Sequence, residues 1–177
     1  MNTRLPYAYF ITFTCYGARL HGSHKGSVDR ANNIYNTPYL EASEEKFDNC
    51  AKKMKSRAYL MDAPRRNIAL DAITNTCVNE KWKLYAAHVR SNHIHIVVRS
   101  DELIVPVMSK IKRMISKQIN IHFPEDKECK KWTRHGSTRY MWDPVATQAA
   151  VHYIIHEQGK PMALYANPEY RYNVVDD

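Results

Sequence analysis

Trp82-Lys83-Leu84-Tyr85-Ala86-Ala87-His88-Val89-Arg90-Ser91-Asn92-His93-Ile94-His95-Ile96-Val97-Val98-Arg99 is the stretch that decides the fold. Two β-rich runs flank the polar triplet Arg90-Ser91-Asn92, so the pattern predicts a hairpin of strands over 82–89 and 93–99. In the second strand His93, His95, Val97 and Arg99 share one face, and Ile94, Ile96 and Val98 share the other. The aliphatic face suits a core beneath helices. The two histidines then stand ~6–7 Å apart along the opposite face. Imidazoles at i and i+2 on a strand can both reach one divalent metal, but a third ligand has to come from elsewhere. Two ordinary surface histidines would show the same spacing.

Working outward, Tyr7 to Cys15 is β-rich and reads as a first strand, with Thr12 and Thr14 on one side and Ile11 and Phe13 on the other. Gly17 to Pro38 holds three glycines and paired asparagines, which predicts a long loop. Glu44 to Lys55 suits a short helix. Pro64 to Glu80 reads as a helix, with proline in its first turn and Ile68, Ala69, Ala72, Ile73, Thr76 and Cys77 at helical spacing. Glu102 to Ile121 carries the stripe Ile104, Val107, Met108, Ile111, Met114, Ile115, Ile119 and reads as another. Ser137 to Trp142 is a short fourth strand. Pro144 to Gln158 is a last helix, with Gly159 just past its end. Residues 160–177 read as irregular. The expected fold class is α+β and ferredoxin-like, in split βαβ order. It has a four-stranded antiparallel sheet, two helices on one face and an additional C-terminal helix, all in one domain over 1–177.

The chain has 177 residues, 26 Lys+Arg against 18 Asp+Glu, a net charge of +8 and 44% apolar residues. This composition excludes collagenous, disordered and disulfide-framework chains. No apolar run approaches the ~18–20 residues of a membrane span, so no membrane partner is expected. Cys15, Cys50, Cys77 and Cys129 form no Cys-x-x-Cys pair. That disfavours zinc ribbons and redox motifs and suggests a reducing cytoplasm. Positive charge concentrates in 52–66 (net +5) and in 110–139 (net +6). Two such runs point to a polyanion partner, although charge alone does not separate DNA from RNA or an anionic surface. The open sheet face, with Tyr7, Tyr9, Tyr85 and the histidines, would equally suit a module that stacks single-stranded bases without chemistry.

The last helix adds groups that can react. Val151 and Ile155 mark a core-facing edge, and Tyr153 lies ~160° from each. Glu157 falls one turn after Tyr153 on the same side, with His152 and His156 in the adjoining row. If that edge lies over the open sheet face, Glu157 completes a metal site beside His93 and His95. Tyr153 then points at a phosphate held there. His156 and Gln158 stay open as alternatives for the third ligand. Taken alone, Tyr153 is one of twelve tyrosines and reads equally as a packing residue.

Asn92-His93-Ile94-His95-Ile96-Val97-Val98 resembles the histidine–hydrophobe–histidine motif of HUH nucleases. Its order with a basic helix, a strand and a tyrosine helix is similar to the single-tyrosine HUH transposases, including the REP-associated tyrosine transposases. Phe10-Ile11-Thr12-Phe13-Thr14-Cys15-Tyr16-Gly17 with Leu20-His21-Gly22, and Trp82 to Val89, resemble the REP-associated branch. The resemblance spans roughly Tyr7 to Gln158. It departs from the family at Ser91-Asn92, where Pro-Asp or Pro-Asn is usual, and at Glu157, where Asn, Gln or His is common. The resemblance implies metal-dependent cleavage and strand transfer of single-stranded or hairpin DNA through a 5′-phosphotyrosine on Tyr153. His93, His95 and Glu157 would hold the metal. A carboxylate with imidazoles suits Mg²⁺ or Mn²⁺. Lys110, Lys112, Arg113, Lys117, Arg134 and Arg139 would contact the DNA backbone. Family members often form homodimers.

Overall fold

The expected hairpin forms: Val89 pairs with Ile94 and His88 with His95 across the turn, and Arg90 N–H donates to the His93 carbonyl at 2.9 Å. The computed structural model describes residues 5–18, 20, 22 and 42–171. The elements are β1 (Ala8–Thr14), α1 (Glu44–Lys52), α2 (Ala63–Asn79), β2 (Lys83–Val89), β3 (His93–Arg99), α3 (Ile104–His122), β4 (Ser137–Met141), α4 (Pro144–His156), β5 (Ala163–Ala166) and α5 (Pro168–Arg171). Most of the loop expected over 17–38, including His21, lies outside the described residues.

The sheet is antiparallel throughout, in the order β4-β1-β3-β2-β5. It therefore has five strands, not the four expected from the sequence. The extra strand, β5, pairs with β2 through Ala86↔Ala166 and Val89↔Ala163. It falls in the region read as irregular. It has only four residues, lacks β-branched side chains, and follows Gly159 at φ +67°. Nothing local to such a segment signals a strand; only the free edge of β2 makes it one.

Register puts opposite chemistry on the two faces. Tyr9, Ile11 and Phe13 of β1, Leu84, Ala87 and Val89 of β2, and Ile94, Ile96 and Val98 of β3 face α2 and α3 and build the main core. Helix α3 supplies Ile104, Val107, Met108, Ile111, Ile115 and Ile119. Each buried aliphatic side chain contributes about 1.5–3 kcal/mol. Met114 is only half-buried. The second face is not open, as expected, but carries α4. Ala150, Val151 and Ile154 pack there against Ala8, Phe10, Tyr85, Ala86, Val97 and Met141. The fold is thus three-layered, with helices on both sides of the sheet. Two expected base-stacking tyrosines are lost to packing. Tyr9 points into the main core, and Tyr85 is buried at a bulge beneath Tyr7 and Tyr170.

A polar clamp brings the chain from α3 back to β4. The Tyr59 hydroxyl donates to Asp126 Oδ2 at 2.6 Å, and Arg65 Nε donates to the same oxygen at 2.7 Å. Lys131 Nζ donates to Asn120 Oδ1 and to the Asp126 carbonyl, both at 2.6 Å. Asp126 and Lys131 are both buried. Burial by itself would raise the Asp126 carboxyl, but hydrogen bonds from Arg65 and Tyr59 outweigh it and hold the pKa below the ordinary 3.8. The ionised carboxylate therefore stabilises the fold above pH 3.8, and this is lost as pH falls through the lower folded value. Asp126→Ala, which leaves Arg65 without its main partner, should cost about 3–5 kcal/mol in urea unfolding. Asp126→Asn should flatten the acid limb of the stability–pH curve.

Candidate active site

Helix α4 starts at a well-defined cap. Asp143 accepts from Ala146 N–H at 2.8 Å and Pro144 opens the first turn. The helix then lies across β1, β2 and β3. Ile154, not Ile155, is the fully buried isoleucine; Ile155 is half-buried. This phase turns Tyr153 towards β1 and β3. Its ring centre is 5.8 Å from that of His95 and 5.9 Å from that of Phe10, edge-on to both. Tyr153 is 37% exposed, so its ring packs on the histidine strand while the residue stays accessible.

The two histidines adjoin one another, with ring centres 4.8 Å apart. Each uses Nδ1 for a supporting hydrogen bond. His93 Nδ1 donates to Asn92 Oδ1 at 2.6 Å, and His95 Nδ1 shares a 2.7 Å hydrogen bond with Thr12 Oγ1. Such partners fix ring orientation, and Nε2 is then the nitrogen each ring can offer to a metal. The donor chemistry of the pair fits a divalent ion. Among the described residues no group of three His, Cys, Asp or Glu sits where it could share a metal. Glu157 ends α4 as its C-cap, and its carboxylate lies 3.3 Å from His152 Nδ1. His156 adjoins His152, ring centres 4.7 Å apart and planes tilted by 36°, and with Leu164 and Tyr170 lines a separate cavity of ≈ 260 Å³ between α4, β5 and α5. Gln148 and His152 line it too.

His88 is a functional neighbour that the sequence reading passed over. It is fully buried and sits opposite His95 in the sheet. Its Nδ1 donates to the Ile154 carbonyl at 3.2 Å, and its Nε2 accepts from Met162 N–H at 3.1 Å. The last carbonyls of a helix have no intrahelical partner. One neutral imidazole therefore satisfies the end of α4 and ties it to the start of β5, beside the residue that follows Tyr153. Hairpin symmetry could have found it: if residue 89 faces 94, residue 88 faces 95.

The six basic candidates separate. Lys110 is paired with Glu80 at 2.8 Å and Glu102 at 3.3 Å. Lys112 donates to the carbonyls of Thr133 and His135 at 3.1 and 2.9 Å, and burial pulls its pKa down to about 8. It tethers the segment leading into β4. Arg113 and Lys117 are exposed on α3, across the sheet from Tyr153. Arg134 is exposed just before β4. Arg139 lies on the α4 side of β4, its guanidinium carbon 6.0 Å from the Phe10 ring centre. Of the six, Arg139 alone is connected to the tyrosine by contacts, through Phe10.

The chain belongs to the IS200-like transposase family, whose model matches residues 50–157, more than half of the chain. The match includes His93, His95, Tyr153 and Glu157. Two solved structures are similar to it. One is a REP-associated tyrosine transposase bound to a REP hairpin, 11% identical, covering 87% of this chain and 70% of that one at TM-score 0.48. The other is a candidate transposase from Deinococcus radiodurans R1, 12% identical, covering 84% and 89% at TM-score 0.45. No curated protein matches the chain in sequence. No helix among the described residues is long and apolar enough to cross a membrane.

Burial holds the His88 imidazole below its ordinary 6.5, against the Ile154 hydrogen bond. The neutral ring stabilises the fold fully above pH 6.5, and this is lost as pH falls towards the lower folded value. His88→Ala should lower stability by about 1–3 kcal/mol for the two stranded backbone groups. His88→Asn should make the loss of thermal stability between pH 7 and 5 shallower, as read by calorimetry.

Proposed function

We propose that this transposase-family protein cuts and rejoins single-stranded DNA through Tyr153, at a site completed by Mg²⁺ or Mn²⁺. The observation that carries the reading is the Tyr153 ring 5.8 Å from His95, itself 4.8 Å from His93, on one face of one sheet. His93 and His95 would hold the metal through Nε2, with Glu157 joining once its exposed side chain turns from His152. A bound divalent ion would withdraw charge from the scissile phosphate.

Tyr153 Oη attacks the phosphorus in line. The phenol gives up its proton to solvent as the Oη–P bond forms, the P–O3′ bond breaks, and the leaving oxygen takes up a proton from solvent as a free 3′-OH. The product is a 5′-phosphotyrosine that conserves the energy of the broken bond. A second 3′-OH attacking the same phosphorus reverses the step and restores the phenol, so no nucleotide cofactor is needed. Phe10 and the α4 packing keep the phenol ring in place, which is the orientation part of the rate. Arg139, and Arg134 before it, would take phosphates of the cut strand. The hairpin bound by one similar structure suggests hairpin-bearing DNA as the substrate to test. One observation favours a second reading, a domain that binds single strands without cutting: the Glu157 carboxylate lies 3.3 Å from His152 Nδ1.

Tyr153→Phe removes one oxygen from an exposed site, so stability should stay within about 0.5 kcal/mol. DNA affinity should be kept. With end-labelled hairpin DNA carrying single-stranded flanks, in Mg²⁺ or Mn²⁺, wild type should give a covalent adduct on denaturing gels and the variant none. An adduct in the variant would move the nucleophile elsewhere; none in wild type would favour the non-cutting reading.

Backbone contacts are separable by salt. Arg139→Ala should weaken single-strand binding and make log K against log[salt] shallower by about 0.7. Lys112→Ala should instead lower stability by about 1–3 kcal/mol, since it strands two carbonyl acceptors. Fluorescence anisotropy over a salt series and urea titration read the two effects.

A further inference from the structure

β4 is an edge strand, and aromatic rings stand on it at Tyr140 and just past its end at Trp142, where edges are normally charged or covered. Tyr140 and Trp142 are 46% and 54% exposed. Their rings are stacked, with centres 5.9 Å apart and planes at 15°. The pair rests on a firm base. Tyr9 meets Tyr140 edge-on at 5.6 Å, and the Tyr9 hydroxyl is fixed by donating to the Glu102 carbonyl at 2.9 Å.

Cations flank the pair, and one acid, Asp101, acts on the Tyr9 hydroxyl beneath it. Arg134 precedes β4, and Arg139 lies between Thr138 and Tyr140 on the strand. The nearest acid in sequence, Asp143, is occupied as the α4 cap. Glu102 is bonded to Lys110. Alternation along β4 sends Arg139 to the Phe10 side and Tyr140 to the other, so cation and rings sit on the two sides of one edge. Contacts run from Tyr153 through Phe10 to Arg139, and the next residue along β4 is Tyr140.

We infer that Tyr140 and Trp142 form a base-stacking platform for single-stranded DNA, with Arg139 and Arg134 taking the phosphates between the stacked bases and the strand at Tyr153. This rests on the reading of the protein as a single-strand DNA enzyme and adds where the strand leaves the site. Aromatic faces accept any base, so the platform grips the strand without reading its sequence.

The test separates bases from phosphates and binding from cutting. It is run on Tyr153→Phe protein without divalent metal, so loss of cleavage does not move the result. Oligo(dT) and an abasic oligonucleotide of equal length are the two probes. Trp142→Leu and Tyr140→Leu keep apolar volume but remove the π-face, and a melting curve checks each fold. Each should weaken oligo(dT) binding about 5- to 150-fold, the range for losing one stacked base, and leave abasic binding nearly unchanged. Oligo(dT) should also quench tryptophan fluorescence, and Trp142→Leu should abolish the quench, because Trp82 is buried and Trp132 donates its indole N–H to Ser116 and to the Lys112 carbonyl. Unchanged oligo(dT) affinity in well-folded variants, or equal losses for both probes, would overturn the platform. So would a wild-type dimer that Trp142→Leu dissociates, which would assign the edge to a second copy of the chain. A wild-type protein that stacks oligo(dT) yet forms no adduct with metal would sink the cutting reading and leave the platform standing.

Discussion

Val151 and Ile154 hold α4 on the sheet by burying themselves against Phe10, Tyr85 and Val97, and the position of Tyr153 over His95 depends on that contact. It sets the roll of the helix. A helix rolled by one residue would turn Tyr153 about 100° away from His95. Hydrophobic burial is non-directional, so packing alone would tolerate some slippage. His88 adds the directional element, because a hydrogen bond to the Ile154 carbonyl is satisfied at one position only. Apolar burial supplies most of the energy and one imidazole supplies the register.

The hairpin shows how much the sequence made legible, and where legibility stopped. Strand alternation at 93–99 is a local property, and both the strand and the pairing of His93 with His95 follow from it. The phase of α4 was nearly right, with Ile155 in place of Ile154 as the buried edge, because two adjacent isoleucines leave that choice to tertiary packing. The fifth strand was not legible, since Ala163 to Ala166 becomes a strand only by meeting β2. Tyr9 faces the main core beside Ile11, as the alternation of β1 set by Ile11 and Thr12 requires, and not the opposite face expected for base stacking. The whereabouts of Glu157 was beyond sequence reasoning: it sits where helical geometry ends, so one turn after Tyr153 no longer fixes its direction.

The basic runs illustrate a different limit. Counting charges treats every lysine as solvated. Here Arg65, Lys110, Lys112 and Lys131 spend their donors inside the molecule, on Asp126, Glu80, two carbonyls of the β4 approach and Asn120. What remains outward lies on α1 and the stretch after it, on α3, on the approach to β4 and along the β4 edge. The footprint of a polyanion is therefore narrower than the sequence suggests, and the edge that bears Arg139 is where charge and aromatic surface coincide.

β5 has a consequence for what counts as the working unit. The family match ends at residue 157, yet Met162 N–H completes His88 and Ala163 to Ala166 seal β2. At the other end, Phe10 and Thr12 of β1 lie before the match and support Tyr153 and His95. A fragment trimmed to the matched segment would keep every residue with reactive chemistry while losing the wall behind the phenol and the cover of a hydrogen-bonding edge. It would present bare β2 and β3 backbone to other chains, a template for aggregation. The recognisable part of this protein and the part that can stay folded are different lengths.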